Sequence, residues 1–298
     1  MSLILGLKSV KYWCIHFCKY KHNILVKKEN SRINKRCYRY LYKNNPYTYK
    51  MFPEISKKWI TFFKSNFEKT TFPTHSENAL VLVETREDER LAFVIHNVSY
   101  YVPNWKLYIF HSKENKDYIL NILGDKRDNI VLQELINPIH SPADYNDLLL
   151  TFDFWNTFTA HKKVLLFQTD SFMLRSGIAD FLQFDYIGAP WKWWEEQMHD
   201  MQRMGGNGGF SIRNVAKMKE IILKYKDLKA PEIEDSHNED VFFSYYLYHD
   251  KDAILPSFHD ALLFASESIL CQKSLAVHQT WRFFKTYKPK FIRRTISI

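Results

Sequence analysis

Glycine is scarce in this chain, with eight in 298 residues, and cysteine is scarcer still, with four. Four cysteines in a chain of this size exclude a disulfide framework and suit a reducing, cytoplasmic setting. Cys14, Cys18, His22 and Cys37 fall at a spacing that matches no common zinc site. A membrane span needs about 18 or more apolar residues in a row, and none is present. Leu3 to Cys18 comes nearest, but Lys8 and Lys11 interrupt it, so neither a transmembrane helix nor a signal peptide is expected.

Acid is missing from one region only. Residues 1–50 hold 12 Lys and Arg against the single acid Glu29, out of 42 and 33 in the whole chain, which leaves 30 basic and 32 acidic residues beyond them. The net charge of +9 is thus an N-terminal attachment, suited to an anionic membrane surface or another polyanion by long-range attraction. It does not call for a specific nucleic acid. The division expected is a basic, aromatic-rich extension over 1–75, a main domain over 76–284 and a basic tail over 285–298.

What is present in quantity is apolar and aromatic: 46% hydrophobic and 16% aromatic, beside 25% charged, the composition of a folded protein. Short apolar runs alternate with amphipathic ones. Ala79 to Glu84, Lys106 to Phe110, Ile130 to Leu132 and Val164 to Phe167 read as buried strands. Leu91 to Tyr101, Lys116 to Leu123, Tyr145 to Thr159 and the stretch from Val215 to Tyr225 read as helices. This βαβ alternation predicts an α/β fold with a mostly parallel central sheet flanked by helices.

The strand at Val164 ends in Gln168-Thr169-Asp170-Ser171. Ligands of open α/β sheets bind beyond the carboxyl ends of the strands, so the sheet itself would deliver Asp170 to a site. Downstream, Gly205-Gly206-Asn207-Gly208-Gly209 gathers four of the eight glycines and reads as a loop, since so many glycines oppose a helix or a regular strand. It has neither a dinucleotide fingerprint nor a Walker loop. Trp191, Trp193 and Trp194 form a cluster in a polar, exposed-looking stretch, either a lid base or a platform for stacking a ring. Glu239-Asp240 opens an apolar segment, where acids also complement a helix dipole. His278 stands alone near the end.

In order, these pieces (Phe-Gln-Thr-Asp-Ser, Asp-Tyr-Ile-Gly-Ala-Pro-Trp, Gly-Asn-Gly-Gly-Phe-Ser-Ile-Arg, Asn-Glu-Asp-Val-Phe-Phe, Phe-Ala-Ser-Glu and His-x-x-Trp) resemble a group of little-characterised domains of large DNA viruses and microbial eukaryotes with the GT-A glycosyltransferase pattern. The resemblance runs from about Ala79 to Trp281. It implies a Rossmann-like GT-A fold and transfer of a sugar from a nucleotide-diphosphate donor, UDP-linked by default, to a glycan, protein or lipid hydroxyl, with inversion. It implies Mn²⁺ or Mg²⁺ held by Asp170 and His278, although Gln168 replaces the first Asp of the usual Asp-x-Asp. Asp240 matches the catalytic base, with Glu239 the second choice. Glu84, Thr85, Arg86, Gln168, Thr169, Asp170, Gly208 and Gly209 would bind the nucleotide sugar, and Trp191, Asn207, Phe210 and Trp281 would line the sugar or acceptor pocket. The alternatives are a non-catalytic module of the same fold that binds glycan or nucleotide, and a nucleic-acid-binding protein acting through its basic tails.

Overall fold

The computed structural model describes residues 59–191, 193, 202–225, 236–269, 271 and 273–279. Its frame is a six-stranded sheet in the order β3-β2-β1-β4-β7-β6. The strands are β1 (Asn78–Val83), β2 (Lys106–His111), β3 (Val131–Glu134), β4 (Lys163–Phe167), β6 (Tyr186–Ala189) and β7 (Asn207–Asn214). The first four in sheet order run parallel, with Val81 opposite both Tyr108 and Leu166. β7 then runs antiparallel to β4 and to β6.

All six residues of β1 are buried, because both faces of the sheet are covered. Alternate side chains enter two different cores. Leu80 and Leu82 join one made with helices α1 (59–67), α2 (Leu91–Tyr101), α3 (Lys116–Leu123) and α8 (Phe258–Phe264). Ala79, Val81 and Val83 join the other, with α4 (Pro142–Leu149), α5 (Phe152–Asn156), α6 (Val215–Tyr225) and α7 (Glu239–His249). A second, three-stranded sheet of β5 (Ser171–Met173), β9 (Ala276–His278) and β8 (Ala265–Ser266) packs into the first core. The expected α/β fold with a mostly parallel sheet is what the chain adopts.

Three expectations change. The helix expected over Tyr145 to Thr159 is two, α4 and α5, because Thr151 turns extended and its hydroxyl accepts from the Phe154 N–H as an N-cap. The boundary expected at residue 76 cuts through the core: Phe63, Phe67 and Phe72, placed in the extension, are buried against the sheet, each contributing about 2 kcal/mol. The glycine run is only half a loop: Gly205 and Gly206 lie outside any element, whereas Gly208 and Gly209 lie in β7. The basic segment 1–50 and the tail 285–298 lie outside the described residues.

Candidate functional site

Because β7 is antiparallel, its first residues lie beside the carboxyl ends of β1 and β4. The Gln168 N–H donates to the Gly209 carbonyl at 3.0 Å. Three segments meet at this edge: the turn after β1, the turn after β4 and the start of β7.

The turn after β1 is held from behind. Asn115 Nδ2 donates to the carbonyls of Glu84 and Arg86, and the Thr85 hydroxyl is fully used between the N–H and carbonyl of Ile139. Glu84 grips Arg86 through both oxygens at 2.8 Å, while the Arg86 side chain stays 67% exposed. Asp88 grips Arg90 in the same way and accepts from the Thr169 hydroxyl at 3.2 Å, tying this turn to the one after β4. The guanidinium of Arg86 is held charged by the hydrogen-bonded Glu84 against the cost of burial, with Asp170 adding to its field.

Asp170 closes the turn after β4. β5 follows it at once and pairs with β9 so that Ser171 stands opposite His278. Gln279, with φ of 48°, sits in the left-handed region unusual for a side-chain-bearing residue, and its N–H donates to the Asp170 carbonyl at 3.0 Å. This locks His278 Nε2 at 3.3 Å from Asp170 Oδ1. On the other side of the ring, Nδ1 lies 3.2 Å from Glu267 Oε1. The distances are those of ion pairs, yet Asp170 Oδ1 and both His278 nitrogens are buried without an aligned hydrogen bond. Burial alone would favour a neutral ring, but the charge of Asp170, reinforced by Glu267, outweighs it and pushes the His278 imidazolium up to about 10. Burial likewise opposes the Asp170 carboxylate, and His278 and Arg90 more than reverse this, holding Asp170 below the usual range.

β7 separates that cluster from a second one. A Cβ on Gly209 would stand 2.5 Å from His278 Cε1, and one on Gly208 would stand 2.6 Å from Arg213 Nη2. Successive residues of a strand face opposite ways, so the two glycines let charged groups press on both faces of one strand. Close approach, not a turn, is the reason for the glycine-rich sequence. On the Gly208 side Arg213 is fully buried, stacked on Tyr186 at 4.8 Å and held by both oxygens of Glu239. Asp240 follows in the first turn of α7. Its Oδ2 accepts from the Gly208 N–H at 2.9 Å, and its Oδ1 from the Val241 N–H at 2.9 Å. Burial first, and then the neighbouring Glu239 charge, push the Asp240 carboxyl up to about 7.

Asp170 and His278 are therefore brought together on the Gly209 side of β7 and Asp240 on its Gly208 side, with the Gln168 N–H on the Gly209 carbonyl. Glu239 is consumed by Arg213. Phe210, expected in a pocket, is buried against Phe264, in the core it shares with Leu80, Leu82 and the small sheet. Trp191 is buried, not exposed: it stacks on Trp193 with centroids 5.0 Å apart and packs on Met204 and Val241. Trp194 and Trp281 lie outside the described residues. Residue spacing gave no hint of three participants. Glu267 and Arg213 were visible only as parts of motifs, and Tyr145 as a helix residue. Burial first, and then the charge of Glu239, raise the Tyr145 phenol.

A divalent cation was expected on Asp170 and His278. Two ligands about 2.1 Å from one octahedral ion stand about 3 Å apart, close to the 3.3 Å between Asp170 Oδ1 and His278 Nε2. These two buried atoms fit adjacent positions on such an ion. Among the described residues no three His, Cys, Asp or Glu side chains converge as a metal site, because Glu267 lies on the far ring nitrogen. Any further ligands would be substrate oxygens or water.

Fold and site together define an α/β domain with a divided cluster of charged groups at the carboxyl edge of its parallel strands. The chain belongs to the family described as Protein of unknown function (DUF5672), which matches residues 130–280, just over half of its length. That span holds Asp170, Arg213, Glu239, Asp240, Glu267 and His278. No curated protein matches the sequence. Among solved structures, the chain is similar to 4-diphosphocytidyl-2C-methyl-D-erythritolsynthase from Anaerococcus prevotii DSM 20548, at 10% identity and a TM-score of 0.39, over 60% of this chain and 85% of that one. Among the described residues, no helix is long and apolar enough to cross a membrane.

Proposed function

We propose that this protein is a nucleotide-sugar-dependent glycosyltransferase, with a UDP-linked donor and a hydroxyl acceptor. One observation carries the reading: a carboxyl pushed up to about 7, Asp240, and the Asp170–His278 pair stand on opposite faces of the same two glycines. Glycosyl transfer needs two such functions. The acceptor oxygen attacks the anomeric carbon as its bond to the diphosphate breaks. The acceptor proton passes to Asp240, whose raised pKa suits a general base near neutral pH. Negative charge builds on the departing diphosphate. A divalent ion, when bound, supplies charge neutralisation there, and Asp170 and His278 would be its protein ligands. Arg86, exposed and close enough to feel Asp170, adds a cation on the same edge.

The test is a panel of nucleotide sugars, each with and without Mn²⁺, read by thermal stabilisation and by release of nucleoside diphosphate. Bound donor raises the melting temperature by mass action even when no acceptor is present. Expected is stabilisation by one donor, dependent on Mn²⁺, with slow diphosphate release that Asp170→Asn abolishes. The competing reading, a binding module without turnover, draws on Gln168 in the position of an acid; it predicts stabilisation with no diphosphate released. No stabilisation by any nucleotide sugar would end both.

A further inference from the structure

The imidazole of His278 is addressed from both sides, and only one side is explained by the reading above. Nε2 faces Asp170 across 3.3 Å, while Nδ1 faces Glu267 across 3.2 Å. His278 is 3% exposed and Glu267 7%, so a carboxylate has been taken out of water to meet a ring nitrogen. Burying a charge without a partner is costly, and no arginine or lysine is paired with Glu267 among the described residues. Its place is fixed by the fold. Ser266, the last residue of β8, pairs in parallel with Val277 of β9, and the Ser266 hydroxyl is clamped by the Cys271 N–H at 2.8 Å and by Ser274 at 3.0 Å. The residue after Ser266 and the residue after Val277 are therefore held side by side, and these are Glu267 and His278.

We propose that Glu267 is the positioning residue of a cation site: when an ion takes the place of the proton on His278 Nε2, Glu267, 3.2 Å behind the ring, favours the remaining proton on Nδ1 and keeps Nε2 aimed at the gap shared with Asp170 Oδ1. The inference rests on the metal-assisted reading given above and names the residue that makes it work. A histidine ligand can offer its second nitrogen only when the first is kept as an N–H, and a carboxylate behind the ring fixes both tautomer and orientation. Glu267 is the only acid in the described structure within ion-pair distance of Nδ1. It cannot be a ligand of the same ion, since the ring stands between them. Gly209 completes the arrangement. Any side chain there would strike the imidazole, so the ring's position is defined by Glu267 behind it and by bare backbone beside it.

The experiment titrates the full chain with Mn²⁺ alone, reading free Mn²⁺ by electron paramagnetic resonance, and takes the site to be the one lost in Asp170→Asn. Glu267→Ala is expected to weaken it by about 10- to 100-fold. Glu267→Gln, whose amide oxygen still accepts from Nδ1–H, should restore affinity to within a few fold of the native chain. That rescue separates orientation from packing, because Gln and Glu fill the same space and share the acceptor. Should Glu267→Ala not fold, Glu267→Asp takes its place: the acceptor is withdrawn by one methylene, and affinity should fall between the other two. Unchanged affinity in the Ala or Asp variant, or a Gln variant as weak as Ala, overturns the role of Glu267 while leaving the cation site standing. A native chain that binds no Mn²⁺ sensitive to Asp170→Asn overturns the cation site itself, and this proposal with it.

Discussion

The two faces of the Gly208-Gly209 step hold charged clusters built from similar residues and finished differently. On the α7 face the buried Arg213 is answered completely: both oxygens of Glu239 on the guanidinium, its Nε on Ser211, and three aromatic rings, Trp155, Tyr186 and Phe243, around it. On the small-sheet face His278 and Glu267 are nearly as deeply placed and Asp170 less so, yet three polar atoms of Asp170 and His278 are buried without an aligned hydrogen bond. Buried polar groups in folded proteins are normally satisfied. A finished ion pair fixes architecture; an unfinished one is where a ligand has free energy to gain. Asp240 stands on the α7 face beside the finished pair, bonded to Gly208, its carboxyl raised by burial first and then by the charge of Glu239, against the opposing charge of Arg213.

The comparison breaks most visibly at Glu239. Glu239→Ala leaves the Arg213 guanidinium buried and unanswered, and such removals cost about 3–5 kcal/mol. Urea denaturation should show a loss of that size; a loss under 1 kcal/mol would mean Arg213 finds water, and the α7 face is not closed. Next is Asp240→Asn. If Asp240 is the base, turnover should fall on the order of 10²-fold, and the native rate should rise with pH and level off above about 7. The stability effect has the opposite sign. Because burial raises the folded-state pKa above its unfolded value, the native carboxyl stabilises the fold at acid pH and loses that contribution as pH climbs through about 7. The Asn variant should therefore match the native chain near pH 4 and gain on it by pH 8. Third, Gly209→Ala sets a methyl against the His278 ring, which β9 prevents from retreating. A loss of about 1–3 kcal/mol is expected, together with weaker Mn²⁺ binding; Mn²⁺ affinity unchanged in a folded Gly209→Ala chain would show that the ring is not confined.

The parallel strands were legible because a strand covered on both faces is apolar at every position, as Ala79–Val83 and Val164–Phe167 are, and a buried strand ending in Asp170 points to the edge where ligands bind. Asp240 and His278 were legible only through motif order, since a lone acid at a helix start and a lone histidine have ordinary structural explanations. The glycine run misled because propensity speaks of backbone freedom, whereas Gly208 and Gly209 are there for what crosses them. Phe210 and Trp191 misled in the reverse direction: an aromatic residue beside a motif reads as a platform, and whether it points to the core depends on strand phase. Glu267 and Arg213 were beyond reach, because what matters about each is a partner 11 or 26 residues away, brought close only by β8–β9 pairing and by α7 crossing β7.

The smallest effect comes from an ion pair that differs from Arg213–Glu239 chiefly in its exposure. Lys162 and Glu77 meet at 2.6 Å, but their side chains are 77% and 62% exposed, against 0% and 3% for Arg213 and Glu239. Water already solvates both charges, salt screens them, and holding two long side chains together costs entropy, so an exposed pair is worth about 0.2–1 kcal/mol. Glu77→Gln keeps the backbone bond from the Lys162 N–H to the Glu77 carbonyl at 2.7 Å and removes only the charge. Its stability should stay within about 0.5 kcal/mol of the native chain at low salt, and the difference should vanish near 1 M salt, where the screening length is about 3 Å. A loss comparable to that of Glu239→Ala would show that burial is not what separates the two pairs, and the reading of the α7 face as closed architecture would have to rest on something other than its dryness.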